Sequence, residues 1–201
     1  TTWEIPDIPG IAETPYFTPK DILTLTRPPK TLFIIGSTPA AIEIASLMSI
    51  FGTKVYLADS ATRIMPDQDE DVSEMIGSQL TKQRGMTIMP NTKIVAVQKE
   101  GIYRRITFVR AGVERTIKVD ALMIADRRAP ATDIGLENAG VAYNAQGIKV
   151  NASLQTSAKH IFAAGSCIHS GAATHEILMH SRVAAHNLLH TKFSVVDKHM
   201  P

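Results

Sequence analysis

The sequence predicts an α/β fold, a parallel sheet with crossover helices joined to an antiparallel meander. Three observations predict it. Thr31 to Ser60 (TLFIIGSTPAAIEIASLMSIFGTKVYLADS) runs from an apolar stretch through Gly36 into a helical pattern, then past Gly52 to a second apolar stretch ending on Asp59. Three alternating segments between residues 93 and 119 are separated by turn signals, as in a meander. Asp120 to Ala125 (DALMIA) is a short apolar run of the kind buried on both faces of a parallel sheet.

The bulk properties narrow the class. At 201 residues the chain has room for one large domain or two small ones. Hydrophobic residues make up 44% and charged residues 20%, the balance of a globular protein. A net charge of +2 gives no nucleic-acid footprint. No apolar run approaches the roughly 20 residues of a membrane helix, and the opening TTWEIP shows no charged-then-apolar leader. The single cysteine, Cys167, excludes an intrachain disulfide and any CxxC or CxxxxC pair, and reads as a small buried hydrophobe. The expected compartment is the cytoplasm.

Residues 1–30 carry Pro6, Pro9, Pro15, Pro19, Pro28 and Pro29, and read as an extended connector over a surface with a short helix around Lys20 to Thr26. From Thr31 the order strand, tight turn, helix, strand is the βαβ unit that holds a dinucleotide. Its glycine fingerprint departs from pattern. Gly36 stands first and keeps the tight turn; Thr38 stands where the second glycine lets backbone approach the pyrophosphate; Ala41 stands third, a mild change. Thr38 is instead a good helix N-cap, with Pro39 at the first helical position. Asp59 ends the second strand, where an acid hydrogen-bonds the adenosine ribose and repels a 2′-phosphate, which favours NAD over NADP. Ser60 offers no cation for that phosphate, although Arg63 is near. A strand-end acid capping a turn is the plainer reading of Asp59.

Asp69 to Arg84 has Val72, Met75, Ile76 and Leu80 at helical spacing, with Asp69, Glu70 and Asp71 in the first turn where the helix dipole favours acids. Gly85 ends that helix and Met86 to Met89 forms a third strand. Lys93 to Gln98, Tyr103 to Arg110 and Arg115 to Val119 form the meander, and Asp120 to Ala125 returns to the parallel sheet. Loops and short strands follow around Gly147 to Val150. His160 to Ala164 (HIFAA) reads as a strand and Ala173 to His190 as a helix. His186 and His190 lie four apart, but no third ligand accompanies them and no metal site is expected.

The order of these motifs resembles the flavin-dependent pyridine nucleotide–disulfide oxidoreductases, the family of dihydrolipoamide dehydrogenase and mercuric reductase. The likeness rests on IPDIPG (5–10), PPKTLFIIGSTPAAIEIA (28–45), RIMPDQDEDV (63–72), ALMIADRRAPAT (121–132), GLENAGV (135–141) and TSAKHIFAAGS (156–166), which occur in the family's order. It implies a Pro-rich connector at 1–30, a Rossmann-like NAD(P)-binding domain at 31–150 and the C-terminal piece of an FAD-binding domain at 151–201.

The resemblance also implies site residues. Gly36, Ser37, Thr38, Pro39 and Ala41 form the NAD turn, and Glu43 on the same helix reaches toward the nicotinamide–flavin junction. Asp59 and Ser60 lie at the ribose and Ile94 on the adenine. Arg127 replaces the glycine near the nicotinamide half, where it crowds the site, pairs with phosphate or stays exposed. Ser166 replaces the Asp that holds the flavin's ribityl chain. Ala172, Ala173, Thr174 and His175 match a segment that contacts flavin. Plainer readings stay open: a solvated acid for Glu43, a core residue for Ile94, an ordinary helix start for 172–175.

By the same resemblance, the first flavin segment and the redox CxxxxC pair would precede Thr1, and the interface domain with its His–Glu pair would follow Pro201. The chain is then expected to be an excised middle piece or a remnant, with those segments as its partners and a monomer as default. The implied function is NAD binding for hydride transfer from NADH to FAD in the intact parent, with no activity alone. NAD binding is expected to be weak or lost, and FAD to bind only in the parent. The alternatives are a degenerate non-catalytic module and a stand-alone NAD sensor.

Overall fold

A computed structural model describes residues 1–169, 174–190 and 194–196. In chain order the elements are β1 (Thr2–Trp3), β2 (Thr31–Ile35), α1 (Pro39–Ile50), β3 (Lys54–Ala58), α2 (Glu70–Arg84), β4 (Thr87–Met89), β5 (Thr92–Glu100), β6 (Tyr103–Arg110), β7 (Val113–Val119), β8 (Ala121–Ile124), β9 (Arg128–Ala129), β10 (Tyr143–Asn144), β11 (Gly147–Ile148) and α3 (Thr174–Leu189). Short 3₁₀ turns cover Asp21–Thr24, Leu136–Ala139 and Gly165–Cys167. The chain divides into two compact units, Ile5–Arg127 and Thr1–Glu4 with Arg128–Pro201. Residues 128–150, expected to belong with the dinucleotide-type domain, cluster instead with the residues after them.

The larger unit is built on a four-stranded sheet in the order β4-β3-β2-β8, parallel throughout. β2 is central, and Leu32, Phe33 and Ile34 are fully buried. That explains its continuous apolar run, because a central parallel strand is covered on both faces. Side chains alternate between the faces. Phe33 and Ile35 join Ile8, Ala58, Met89, Val97, Ile106, Phe108, Val119 and Leu122 in one cluster, so the meander β5-β6-β7 covers this face. Leu32, Ile34, Val55 and Leu57 are buried on the other face, toward the crossover helices. There α1 touches β3 and α2, and buries Ala41, Ile42, Ala45 and Met48.

A reciprocal clamp fixes the start of β2 against the start of β8. The Asp120 carboxylate accepts from the Thr31 N–H (2.8 Å) and the Thr31 hydroxyl (2.6 Å), and the Asp120 N–H donates back to that hydroxyl (2.8 Å). Arg104 adds a second tie, donating to the carbonyls of Pro15 (3.0 Å), Ile102 (2.9 Å) and Asp120 (2.6 Å).

Three expectations need correction. First, the proline-rich lead-in is not merely laid over a surface. Ile8, Ile22 and Thr14 are buried, and Phe17 extends the sheet beside β8 through a donor bond to Leu122 and an acceptor bond from Ile124. Prolines remove donors, but they left enough free amides for this pairing. Second, α2 exposes Val72 and Met75 rather than burying them. Its inner line is Ser73, Gly77 and Leu80, where small residues allow close approach; a Cβ built on Gly77 would lie 3.5 Å from Ile64. The Ser73 hydroxyl bonds to Met65 O (3.2 Å) and sets the helix's rotation. Third, His160–Ala164 forms no strand, because only an isolated bridge between Gln155 and Phe162 pairs with it.

The remaining sequence signals appear as local structure. α2 starts after Asp69, carries Glu70 and Asp71 in its first turn, and ends on Gly85 in the left-handed conformation. The smaller unit pairs β1 with β9 and β10 with β11, both antiparallel. Its core is Leu136, Val141, Ile148 and Ala163, with Ile161, Cys167 and Ile168 packed against them. Buried Asn187 of α3 donates to Ser153 O and Ser194 O and accepts from the Ser194 N–H. Among the described residues no helix is long and apolar enough to cross a membrane.

The clamp predicts a stability effect. Asp120→Ala strands the Thr31 N–H and is expected to cost about 1–3 kcal/mol, read as a lower urea midpoint with an unchanged m-value.

Candidate functional site

The site grows from the turn between β2 and α1. Gly36 has φ +103°, and a Cβ there would lie 2.5 Å from Asp126 Cα. The glycine is therefore required by the approach of the turn to the chain leaving β8. The Ala125 N–H donates to Ile35 O (2.9 Å) and the Gly36 N–H to Ala58 O (2.8 Å), so the turn is bonded to both neighbours of β2.

Thr38 caps α1 as the sequence predicts, and it does more. Its hydroxyl accepts from the Ala41 N–H (3.3 Å) and donates to Ala125 O (2.7 Å). Pro39 occupies the first helical position and has no N–H to offer. An anion at a helix start needs the first-turn amides. Here the amide of residue 39 is absent and that of Ala41 is taken by Thr38. The helix start is capped from within the chain.

Asp59 follows β3 directly. One carboxylate oxygen accepts from the Ser37 hydroxyl and the other from the Ala61 N–H (2.8 Å). Its backbone is held as well, by a donor bond to Met89 O (3.1 Å) and an acceptor bond from the Thr92 N–H (2.8 Å). Asp59 is half-buried and forms no ion pair among the described residues. Arg63 does not point a free guanidinium at this place. It donates to Pro66 O (3.0 Å) and Gln68 O (2.8 Å) in its own loop. A shallow groove of about 480 Å³ lies beside that loop, lined by Arg63, Ile64, Gly77, Lys82 and Pro90 among others, but by none of the expected cofactor residues.

The structure thus brings the Gly36–Ala41 turn and Asp59 together through Ser37. The other expected residues are more scattered. Ser60 and Glu43 are exposed. Ile94 is partly buried against the sheet–meander cluster, next to a bulge between Ile94 and Ala96. Arg127 is exposed, with no partner among the described residues. In the smaller unit Ser166 sits half-buried in the 3₁₀ turn, while Thr174 and His175 are exposed at the start of α3. Ala172 and Ala173 lie outside the described residues. Sequence reasoning missed what Ser37 does, since a serine after a turn glycine carries no signal of its distant partner.

These residues fit the adenosine half of a dinucleotide, where an acid at the strand end faces a ribose. They fit its pyrophosphate poorly, because a branched side chain and a proline stand where the cradle needs bare backbone and N–H donors.

The family profile described as pyridine nucleotide-disulphide oxidoreductase matches residues 1–187. The chain belongs to this family. Members of this flavin-dependent oxidoreductase family resemble it along most of its length. It is 34% identical to mercuric reductase of Staphylococcus aureus over 163 residues, covering 80% of this chain and 30% of that protein. It is 28% identical to dihydrolipoyl dehydrogenase of Bacillus subtilis (strain 168), covering 90% of this chain and 39% of that protein. The solved HOCl-induced flavoprotein disulfide reductase RclA from Escherichia coli superposes with a TM-score of 0.84 at 29% identity, over 97% of this chain and 45% of that one. The chain thus spans less than half the length of these pyridine nucleotide–disulphide oxidoreductases.

The glycine geometry gives a test. Gly36→Ala adds both a disfavoured φ and a backbone clash, and is expected to destabilise by more than about 2 kcal/mol. Gly52→Ala, at φ +84° with no atom within 4 Å of the new Cβ, should cost only about 1 kcal/mol. Equal losses in urea titrations would refute the close-contact account.

Proposed function

We propose that the Ile5–Arg127 unit is the NAD-binding module of a flavin-dependent oxidoreductase, and that it binds the dinucleotide weakly. The observation that carries this reading is Asp59, held at the end of β3 by the turn that begins α1. Each of its oxygens already accepts one hydrogen bond and has lone-pair capacity for a ribose hydroxyl. The same carboxylate disfavours a 2′-phosphate, and Arg63 is committed elsewhere.

When bound, nicotinamide supplies a hydride and flavin accepts it, so the protein's part is binding and orientation. Thr38 sets the limit of that binding, since its hydroxyl already caps the helix that would otherwise receive phosphate oxygens. On this reading the chain is inactive alone and works beside the flavin-binding and interface segments of its family, in the cytoplasm. A second reading, a non-catalytic module kept for folding or assembly, draws support from one observation: Thr38 caps the helix start from within the chain.

Two outcomes are expected. Calorimetry should find NADH binding weaker than micromolar, and Thr38→Gly combined with Arg127→Gly should strengthen it about tenfold, the effect of regaining about one good hydrogen bond. Micromolar affinity in the unaltered chain, or no gain in the double variant, defeats the account in which Thr38 limits binding. NADH should also bind better than NADPH by about fivefold or more, since repulsion of a phosphate by a half-buried carboxylate is on the order of 1 kcal/mol. Asp59→Asn should abolish that preference, and equal affinities in the unaltered chain remove the ribose role of Asp59.

A further inference from the structure

We infer that Ser37 is the positioning residue of this site: it locks the Asp59 carboxylate and the loop that follows into one rigid unit, and so sets the discrimination between a ribose 2′-hydroxyl and a 2′-phosphate. The inference rests on the dinucleotide reading of Asp59. Ser37 is fully buried, unusual for a serine in a strand-to-helix turn that is expected to face a ligand. Its hydroxyl donates to one Asp59 oxygen and lies 3.3 Å from the Met65 N–H, which also donates to the Ser37 carbonyl at 3.2 Å. Met65 has φ +48°, a conformation disfavoured for its side chain and one that needs such bonds to persist. The second Asp59 oxygen accepts from the Ala61 N–H, and Ala61 O accepts from the Asn91 N–H (2.8 Å). The carboxylate is therefore gripped from opposite sides, by the α1 turn and by its own loop.

A carboxylate fixed at both oxygens presents its remaining lone pairs in one direction. That pre-organisation is what makes a single acid selective, because a freely rotating one would both lose ribose bonds and swing away from a phosphate. Ser37 has no direct role toward ligand in this account. It acts through Asp59, and its removal should matter only while Asp59 is present.

The test is a double-mutant cycle on the full chain with Ser37→Ala, Asp59→Asn and both changes together. NADH and NADPH affinities are measured by calorimetry, and amide hydrogen exchange is followed at Ala61 and Met65, with Ile42 in α1 as internal control. In Ser37→Ala the NADPH-to-NADH ratio of dissociation constants is expected to fall about twofold to fivefold, and no further than in Asp59→Asn, mostly by weaker NADH binding. Exchange at Ala61 and Met65 should rise at least tenfold while Ile42 is unchanged. In the double variant the ratio should equal that of Asp59→Asn alone. Additive losses, an unchanged ratio, or tighter NADH binding in Ser37→Ala would each overturn the inference. If neither nucleotide binds the unaltered chain, the dinucleotide reading fails, and with it the ribose discrimination assigned to Ser37. Exchange then still separates the two failures: faster exchange at both amides keeps Ser37 as the anchor of Asp59, and unchanged exchange removes that as well.

Discussion

Gly36 lies so close to the backbone of Ala125 and Asp126 that no side chain fits between them. This contact brings the end of β2, the start of α1 and the exit of β8 to one place. With the turn drawn in, the Thr38 hydroxyl reaches Ala125 O, and Ser37 is pressed inward where it meets Asp59 at the end of β3. A turn standing a little farther out would leave both side chains without these partners. The site is a consequence of backbone proximity, and its side-chain bonds are built upon that.

The replacement at position 38 shifts the source of helix capping from ligand to protein. In a glycine-rich turn the first amides of the helix await an anion. Thr38 satisfies one of them at all times, which stabilises α1 on the order of 1 kcal/mol, and Pro39 removes another without leaving a buried donor unpaired. Both changes favour the folded chain and disfavour a bound phosphate.

Much of the larger unit was legible because its signals are local. Thr38 and Pro39 announce the helix start, Gly85 its successor's end, and alternation marks the meander. The order of motifs placed the family. What escaped the sequence depends on distant partners. Thr31 and Asp120 clamp across most of the unit, and Ser37 finds Asp59 across a whole crossover helix. Apolar periodicity pointed α2 with Val72 and Met75 inward, yet the smaller Ser73 and Gly77 won that face because closeness to Ile64 and Met65 mattered more than hydrophobicity. The HIFAA run has the composition of a strand, but composition cannot supply the neighbour a ladder requires. The strand-to-helix turn at Gly36 and the strand-end acid Asp59 were placed by pattern; the packing of Ile94 and the exposure of Glu43 and Arg127 are set by tertiary context, which no pattern encodes.

The lead-in has one more consequence. β5 is an outer strand of its three-stranded sheet. Its Val97 N–H is already spent on Pro9 O (2.9 Å), and the adjoining Gly10 packs so tightly on the Val97 carbonyl that a Cβ would lie 2.0 Å from its oxygen. The bulge between Ile94 and Ala96 further breaks the strand's regular spacing. An incoming extended chain therefore meets an occupied and irregular border where a straight strand would have offered a template. The prolines of the lead-in, which cannot pass such pairing outward, make this edge a terminus of the sheet and a poor template for a further strand.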